Sequence, residues 1–264
     1  MSQVLNGRAD LASFYDRLQG APRRVLMLDY DGTLAPFRVR PEQATPYPGV
    51  SEMLETLAMQ EDTRVVVVTG RRAQDVAELL ELSGLIEVWG VHGWERLLPG
   101  KALSSQEPTA EIRLALAEAH TLADGLRRSG ARIERKPASI AFHWRGLPDS
   151  AVERLREQVQ VAWRPFAESA MLEWLPFDGG VELRAPGANK GFAVSAVLSE
   201  TSEDSVAAYL GDDLTDEDAF RAMKGRGLSV LVRAERRETE ADVWIRPPDE
   251  LLEFIGRWRR NETG

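Results

Sequence analysis

Short apolar runs alternate along this chain with stretches of helical periodicity, and few folds are built from such an alternation of strands and helices. Four runs have the length and composition of buried strands: 25–28, 65–68, "SVAAYLG" at 205–211 and "LSVLV" at 228–232. Helical patterns separate them, at about 72–82, 189–200 and 215–224, and a further one closes the chain at 249–260. The alternation predicts an α/β protein with a doubly wound, mostly parallel, Rossmann-like sheet.

The middle of the chain has a different pattern. Helical spacing runs from about 108 to 128 and from 149 to 168. "ARIERK" and "SIAFHWR" resemble two adjacent strands, and "AMLEWLPFDGGVELRA" predicts a hairpin that turns at 178–180. We therefore expect an inserted α+β cap domain at 102–184, which splits the core domain into 1–101 and 185–264.

Composition narrows the classes of function. The net charge of −9 argues against nucleic acid as a partner. The absence of cysteine excludes disulfides and thiolate chemistry, and the presence of only three histidines argues against a multi-histidine metal site. The first 20 residues lack the apolar core of a signal peptide, and no stretch has the roughly 18 apolar residues of a membrane span. A cytoplasmic monomer without membrane contact is expected.

Polar residues follow several of the predicted strands. Asp29 and Asp31 follow the first, Thr69 and Gly70 the second, and Asp212 and Asp213 the third, while Lys190 opens a helix. Each residue taken alone also has a purely structural explanation. Asp31 with Gly32 is typical of a turn, and Asp29 could be a helix cap. Ligands of open α/β sheets bind at the carboxyl ends of the strands. Together these residues therefore indicate an active site.

The residue types in this set suit the transfer of a phosphoryl group. Asp29, Asp212 and Asp213 would bring three negative charges into one crevice, and oxygen ligands without His or Cys favour Mg²⁺. An aspartate such as Asp29 can act as a nucleophile and form an aspartyl-phosphate. Asp31 would then be the general acid toward the leaving oxygen and the general base toward water.

Groups that can bind the phosphate are also present. Lys190 supplies a compact positive charge, and the Thr69 hydroxyl and the Gly70 amide supply hydrogen-bond donors. An anionic substrate is thus compatible with the acidic chain.

Four of these segments, in order, resemble the motifs of the haloacid dehalogenase superfamily of phosphatases: "DYDGT" at 29–33, "TGR" at 69–71, Lys190 and "GDDLTD" at 211–216. The resemblance implies Asp29 as nucleophile and metal ligand and Asp31 as acid/base, with the backbone carbonyl of Asp31 on Mg²⁺. It also implies Asp212 as a metal ligand, with Asp213 beside it as a ligand or a neighbour of the ligands. The insertion between the second and third motifs resembles the C2-type cap of that superfamily.

Further segments resemble the trehalose-6-phosphate phosphatase family: "GVHGWE" at 90–95, "KPASIAFHWR" at 136–145, "VELRAPGANKG" at 181–191 and "GDDLTDEDAF" at 211–220. The resemblance implies a Mg²⁺-dependent phosphatase that acts on a sugar phosphate, trehalose 6-phosphate, through an aspartyl-phosphate. Other possible substrates are sucrose phosphate and mannosyl- or glucosyl-phosphoglycerate. A phosphomutase reaction is also left open. A non-catalytic sugar-phosphate-binding partner of a synthase is a further alternative.

A sugar site needs polar partners for hydroxyl groups. Lys136, His143, Arg145 and Glu182 are candidates in the cap, where cross-strand ion pairs are the alternative explanation. In the loop between core and cap, His92 and Glu95 could reach the sugar or brace that loop. Arg71 could likewise contact the substrate or pair with an acid.

Overall fold

The computed structural model describes residues 3–5, 10–126, 130–187 and 189–260. The strands are β1 (Gln3–Val4), β2 (Arg24–Leu28), β3 (Thr63–Val68), β4 (Glu87–Gly90), β5 (Glu95–Leu97), β6 (Ser104–Ser105), β7 (Arg132–Lys136), β8 (Ser139–His143), β9 (Glu173–Phe177), β10 (Gly180–Arg184), β11 (Val206–Gly211), β12 (Leu228–Val232) and β13 (Val243–Ile245). The helices are α1 (Leu11–Gly20), α2 (Val50–Ala58), α3 (Ala73–Leu79), α4 (Ala110–Asp124), α5 (Asp149–Glu168), α6 (Lys190–Ser199), α7 (Glu217–Met223) and α8 (Asp249–Gly256).

The chain divides into two compact units, Met1–Ser104 with Asn189–Gly264, and Ser105–Ala188. The predicted limits of the insertion, 102 and 184, lie three and four residues from these boundaries. Among the described residues, every helix is too short or too polar to cross a bilayer.

The larger sheet has the strand order β1-β13-β12-β11-β2-β3-β4-β5-β6. The strands from β13 to β4 pair in parallel, whereas β1 pairs antiparallel with β13 and β5 pairs antiparallel with β4. From β2 the chain proceeds to β3 and β4 on one side, and from β11 to β12 and β13 on the other. The predicted α/β class with a mostly parallel sheet is confirmed. The order reverses between β2 and β11, where open sheets bind ligands.

Strand β2 shows why the apolar runs become central strands. Its residues are all buried, and successive side chains point to opposite faces of the sheet. Leu26 and Leu28 pack into one hydrophobic cluster, and Val25 and Met27 pack into another. Burial of each such side chain contributes about 1.5–3 kcal/mol to stability. A strand covered on both faces has a continuous apolar sequence rather than an alternating one.

The second unit contains a four-stranded antiparallel sheet in the order β7-β8-β10-β9. Its hydrophobic core joins α4 and α5 to one face, through residues such as Ala119, Trp163, Phe142 and Leu183. The predicted hairpin is present, since β9 and β10 pair across a turn with Gly179 at a φ of 86°.

Several elements differ from the expectations. Helix α3 ends at Leu79 rather than near 82, and α4 ends at Asp124; Arg128, where the prediction ended, lies outside the described residues. A 3₁₀ turn, Leu214–Asp216, precedes α7 and replaces the first turn of the predicted helix. Helix α1 and strand β13 were not predicted.

Candidate active site

Three neighbouring strands bring the site residues to one edge of the larger sheet. Asp29 follows β2, Thr69 follows β3 and Asp212 follows β11. The register places Leu28 opposite both Leu210 and Val67, and the Asp29 amide donates to the Leu210 carbonyl at 2.8 Å. The three polar residues are therefore fixed by sheet pairing.

A cluster of three buried carboxylates occupies this edge. Oxygen atoms of Asp29, Asp212 and Asp216 lie within 4.8 Å of one another. All three residues are buried, and Asp212 Oδ1 has no hydrogen-bond partner among the described residues. A buried carboxylate oxygen without a hydrogen-bond partner destabilises the folded protein unless a cation binds it.

Lys190, the first residue of α6, supplies one positive charge to the cluster. Its Nζ atom lies 2.7 Å from Asp29 Oδ1 and 2.8 Å from Asp216 Oδ1. Burial lowers the pKa of the Lys190 ammonium, but the carboxylates of Asp216 and Asp29 outweigh that effect and raise it. Lys190 is therefore charged and bridges two of the three acids.

The Lys190 ammonium and the Arg233 guanidinium, which lies 3.8 Å from Asp212 Oδ2, do not balance the charge of three carboxylates. Burial raises the pKa of Asp29 to about 7, although the charge of Lys190 opposes the shift. Burial and the charges of Asp29 and Asp216 raise the pKa of Asp212 well above its ordinary value. The donors are all oxygens, and one is unpartnered among the described residues. The cluster thus fits a divalent cation that prefers oxygen ligands.

The acids of "GDDLTD" differ in what they contact. Asp212 belongs to the cluster, whereas the Asp213 carboxylate accepts from the Leu214 amide at 2.7 Å and caps the 3₁₀ turn. Asp216, which the sequence analysis did not select, accepts from the amides of Asp212 and Asp213 at 3.1 and 2.9 Å. The spacing of four residues between two acids in one motif is the signal that could have identified Asp216.

Asp31 lies outside the carboxylate cluster and pairs with Arg71. The guanidinium donates to both carboxylate oxygens at 2.6 Å, and its third nitrogen donates to the Pro41 carbonyl at 2.8 Å. The sequence left open whether Arg71 contacts the substrate or pairs with an acid, and in the structure it pairs with an acid.

The loop after β3 is packed tightly against the next turn of the chain. A Cβ atom on Gly70 would lie 2.7 Å from the His92 ring, so only glycine fits there. His92 adopts a left-handed conformation with φ 56°, and its amide donates to the Thr69 carbonyl at 2.9 Å. Thr69 Oγ1 accepts from the Arg71 amide at 3.1 Å. His92 therefore braces the loop that contains Thr69.

Glu95 contacts the start of α3. Its carboxylate accepts from the Ala73 amide at 2.9 Å and lies 3.5 Å from Arg72 Nε. Glu95 is buried, and these contacts are those of a brace at the helix N-terminus.

The remaining predicted residues lie in the second unit. Lys136 Nζ lies 3.0 Å from Glu182 Oε1, and that oxygen also accepts from Ser139 Oγ at 2.5 Å. His143 Nε2 lies 2.8 Å from Glu134 Oε2. Burial raises the pKa of Glu134, but the bond with His143 and the charge of Lys136 outweigh it and lower that pKa to about 2.

These polar residues share the sheet face opposite the helices. Register places Glu134 and Glu182 on either side of Ala141, and places Lys136 beside Ser139. Arg145 follows β8 and donates to the Asp178 carbonyl of the β9–β10 turn. Cross-strand ion pairs are thus present on a face that is rich in hydrogen-bonding groups.

Comparisons with known proteins point to one family. A family model described as trehalose-phosphatase matches residues 27–244. An uncharacterized glycosyl hydrolase of Mycobacterium tuberculosis is 34% identical over 255 residues, which cover 91% of this chain and 18% of that protein. The trehalose-phosphate phosphatase of Mycobacterium ulcerans is 30% identical over 251 residues, which cover 89% of this chain and 61% of that protein. The chain therefore spans less than two thirds of either relative.

A solved structure agrees with the fold. The C-terminal domain of the trehalose-6-phosphate phosphatase of C. albicans aligns with a TM-score of 0.81 over 98% of both chains. The identity is 20%, so this likeness bears on the fold alone.

Proposed function

Because the chain belongs to the trehalose-phosphatase family, we propose that it hydrolyses trehalose 6-phosphate to trehalose and phosphate with the help of Mg²⁺. The observation that carries the proposal is the arrangement around Asp29. This buried carboxylate ends a central strand, 2.7 Å from the Lys190 ammonium and beside the acids Asp212 and Asp216.

Asp29 is the proposed nucleophile. One of its oxygens bonds to phosphorus as the bond from phosphorus to the sugar oxygen breaks, and Asp31 gives a proton to that oxygen. Asp31 then takes a proton from water, whose oxygen bonds to phosphorus. The bond between Asp29 and phosphorus breaks, phosphate leaves, and both carboxyl groups return to their starting forms.

Asp31 can act in this way only if it parts from Arg71. In the bidentate pair the guanidinium donates to both oxygens of Asp31, so the proton that the acid step uses must be taken up from water when the pair opens. Proton transfer requires one oxygen to be released toward the substrate. Arg71 is therefore the group that holds Asp31 between turnovers.

The other core residues bind rather than react. Lys190, the Thr69 hydroxyl and the Gly70 amide are proposed to hold the phosphoryl oxygens. Asp29, Asp212 and Asp216 would hold Mg²⁺, with the Asp31 carbonyl as a further ligand and Asp213 as a neighbour. When bound, Mg²⁺ supplies positive charge that stabilises the oxygens of the phosphoryl group.

The polar sheet face of the second unit is proposed to select the sugar. Lys136, His143, Arg145 and Glu182 offer charged hydrogen-bonding groups, which discriminate strongly between hydroxyl patterns when they are buried by substrate. His92 and Glu95 support the site by bracing the Thr69 loop and α3. A cytoplasmic location and a monomeric state remain predictions from the sequence.

The test is phosphate release by the purified protein with Mg²⁺. Trehalose 6-phosphate should be hydrolysed far faster than glucose 6-phosphate or sucrose 6-phosphate, and equal rates would contradict the proposed substrate. Asp29→Asn should abolish turnover, since the neutral amide is a poor nucleophile. Asp75→Asn, at an exposed aspartate on α3, is the matched control and should leave turnover unchanged.

A further inference from the structure

Arg237 lies in the connection between β12 and β13 and contacts the backbone of residues 212–216, here called the acidic loop. Its Nε atom donates to the Asp212 carbonyl at 3.2 Å, and one terminal nitrogen donates to the Asp213 carbonyl at 2.7 Å. Its other terminal nitrogen donates to Glu217 and to the Glu238 carbonyl. The Arg237 guanidinium thus links the carbonyls of Asp212 and Asp213 to the connection between β12 and β13.

Glu217, at the start of α7, holds Arg237 in this position. In addition to the guanidinium, its carboxylate accepts from Thr239 Oγ1 at 2.9 Å and from the Glu240 amide at 2.8 Å. The Arg237 side chain is only 18% exposed. The contact is therefore an ordered feature of the fold rather than a mobile surface ion pair.

The same two residues of the loop are held from their amide side as well. The amides of Asp212 and Asp213 both donate to Asp216 Oδ2, and Asp216 in turn contacts Lys190. The carbonyls of both residues thus bind Arg237 while their amides bind Asp216. The backbone that carries the Asp212 carboxylate is fixed on both sides.

Asp212 has little freedom of position. A Cβ atom on Gly32 would lie 2.2 Å from Asp212 Oδ2, so the carboxylate packs directly against the turn after Asp29. A small shift of the loop would therefore move Asp212 against Gly32 or away from Asp29.

We propose that Arg237 is a positioning residue for the metal site, which sets the place of Asp212 by binding the carbonyls of Asp212 and Asp213. The inference rests on the proposed function only insofar as the carboxylate cluster holds a divalent cation. Residues that orient metal ligands typically contribute about 10- to 100-fold to metal affinity. An arginine suits the role because its planar fork reaches two carbonyls at once, which a lysine ammonium cannot do in the same geometry.

The test is equilibrium binding of Mn²⁺ to the whole chain without substrate, measured by electron paramagnetic resonance. Arg237→Gln should raise the Mn²⁺ dissociation constant by about 10- to 100-fold. Arg237→Lys, which keeps the charge without the fork, should also weaken binding. The neighbouring Arg236 is exposed, and Arg236→Gln is the matched control that should bind Mn²⁺ like wild type.

Thermal unfolding of the metal-free variants separates a structural role from a positioning role. A purely structural role would lower the melting temperature of Arg237→Gln and leave the Mn²⁺ affinity of its folded form unchanged, which would overturn the inference. Wild-type affinity in Arg237→Lys, or equal weakening in Arg236→Gln, would overturn it too, since either result would mean that charge alone acts.

A second variant covers the case in which Arg237→Gln does not fold. Glu217→Gln keeps the guanidinium but removes the charge that orients it, and should weaken Mn²⁺ binding to a smaller extent. Unchanged affinity in that variant would count against the inference. Because no sugar phosphate is used, failure of the proposed substrate leaves this experiment valid, whereas a wild-type protein that binds no Mn²⁺ would overturn the metal site and the inference together.

Discussion

At the scale of single residues, the two aspartates of "DYDGT" occupy different environments. Asp29 is buried beside Lys190, whereas the Asp31 side chain is 28% exposed and paired with Arg71. The strand ends before Asp31, and Gly32 has a φ of 85°. The alternation of a strand therefore no longer applies to Asp31. The two carboxylates differ because sheet pairing continues as far as the Asp29 amide, which donates to the Leu210 carbonyl, and the chain turns after it.

Gly32 allows a direct test of how closely the acidic loop must pack. Gly32→Ala introduces a left-handed alanine, which costs roughly 1–2 kcal/mol, and a Cβ atom that clashes with Asp212. We expect it to lower stability by more than the backbone strain alone and to weaken binding of Mg²⁺. Chemical denaturation and calorimetric titration with Mg²⁺ would measure the two effects.

Gly84 is the matched control for that substitution. Its φ of 83° is almost the same, but nothing lies within 4 Å of the Cβ position. Gly84→Ala should therefore show only the cost of strain, roughly 1–2 kcal/mol, with unchanged Mg²⁺ binding. Equal behaviour of the two variants would mean that contact between Gly32 and Asp212 has no bearing on the site.

The acidic motif shows where sequence reasoning about individual residues stops. Asp29, Thr69, Lys190 and Asp212 were selected because strand ends and motif order are visible in the sequence. Asp216 was not, because its place depends on the 3₁₀ turn that returns its carboxylate to the amides of Asp212 and Asp213. The spacing of four residues from Asp212 marks Asp216 as a candidate, but the return of its carboxylate to these amides depends on the backbone path, which residue types alone do not specify.

At the scale of elements, the central strands of the larger sheet were predictable, whereas β13 near its margin was not. Strand β2 is buried on both faces, so its residues 25–28, after Arg24, form a continuous apolar run. Strand β13 has three residues, and "VWI" is too short a pattern to distinguish from a loop. Helix α1 has apolar residues at Leu11, Phe14 and Leu18, a helical spacing that was present but not used.

The sheet of the second unit contains a buried ion pair whose loss should be costly. The side chains of Lys136 and Glu182 are 9% and 3% exposed. Removal of one partner of a buried pair typically costs roughly 3–5 kcal/mol, so Lys136→Met should destabilise this unit by about that amount. The Ser139 hydroxyl, which still donates to Glu182, should place the loss at the lower end of that range. Urea unfolding would measure it.

Strand β7 also provides the control for this prediction. Arg132 and Glu134 form a pair with side chains that are 41% and 31% exposed, and Arg132→Met should cost only about 0–1 kcal/mol. Glu182→Gln added to Lys136→Met should restore part of the lost stability, because the buried carboxylate is then neutral. Similar losses in the two single variants would show that burial does not determine the strength of these pairs.

At the scale of the whole molecule, each of the two units has a hydrophobic core of its own. The clusters on the two faces of the larger sheet belong to the first unit, and the cluster around Trp163 belongs to the second. The carboxylate cluster, Lys190 and Arg237 all lie in the first unit. The residues proposed to hold the metal and the phosphate are therefore separate in sequence and in core from those proposed to select the sugar.

This division predicts which amides each ligand protects from hydrogen exchange. A ligand that binds only the folded form stabilises it by about 2.7 kcal/mol at 100 times its dissociation constant. Mg²⁺ alone should thus slow exchange in β2, β3 and β11 and leave β7 to β10 unchanged. Trehalose 6-phosphate added to Asp29→Asn with Mg²⁺ should extend the protection to β8 and β10, which carry His143 and Glu182. Protection of both units by Mg²⁺ alone would contradict the separation, and protection confined to the first unit with the sugar phosphate would remove the second unit from substrate selection.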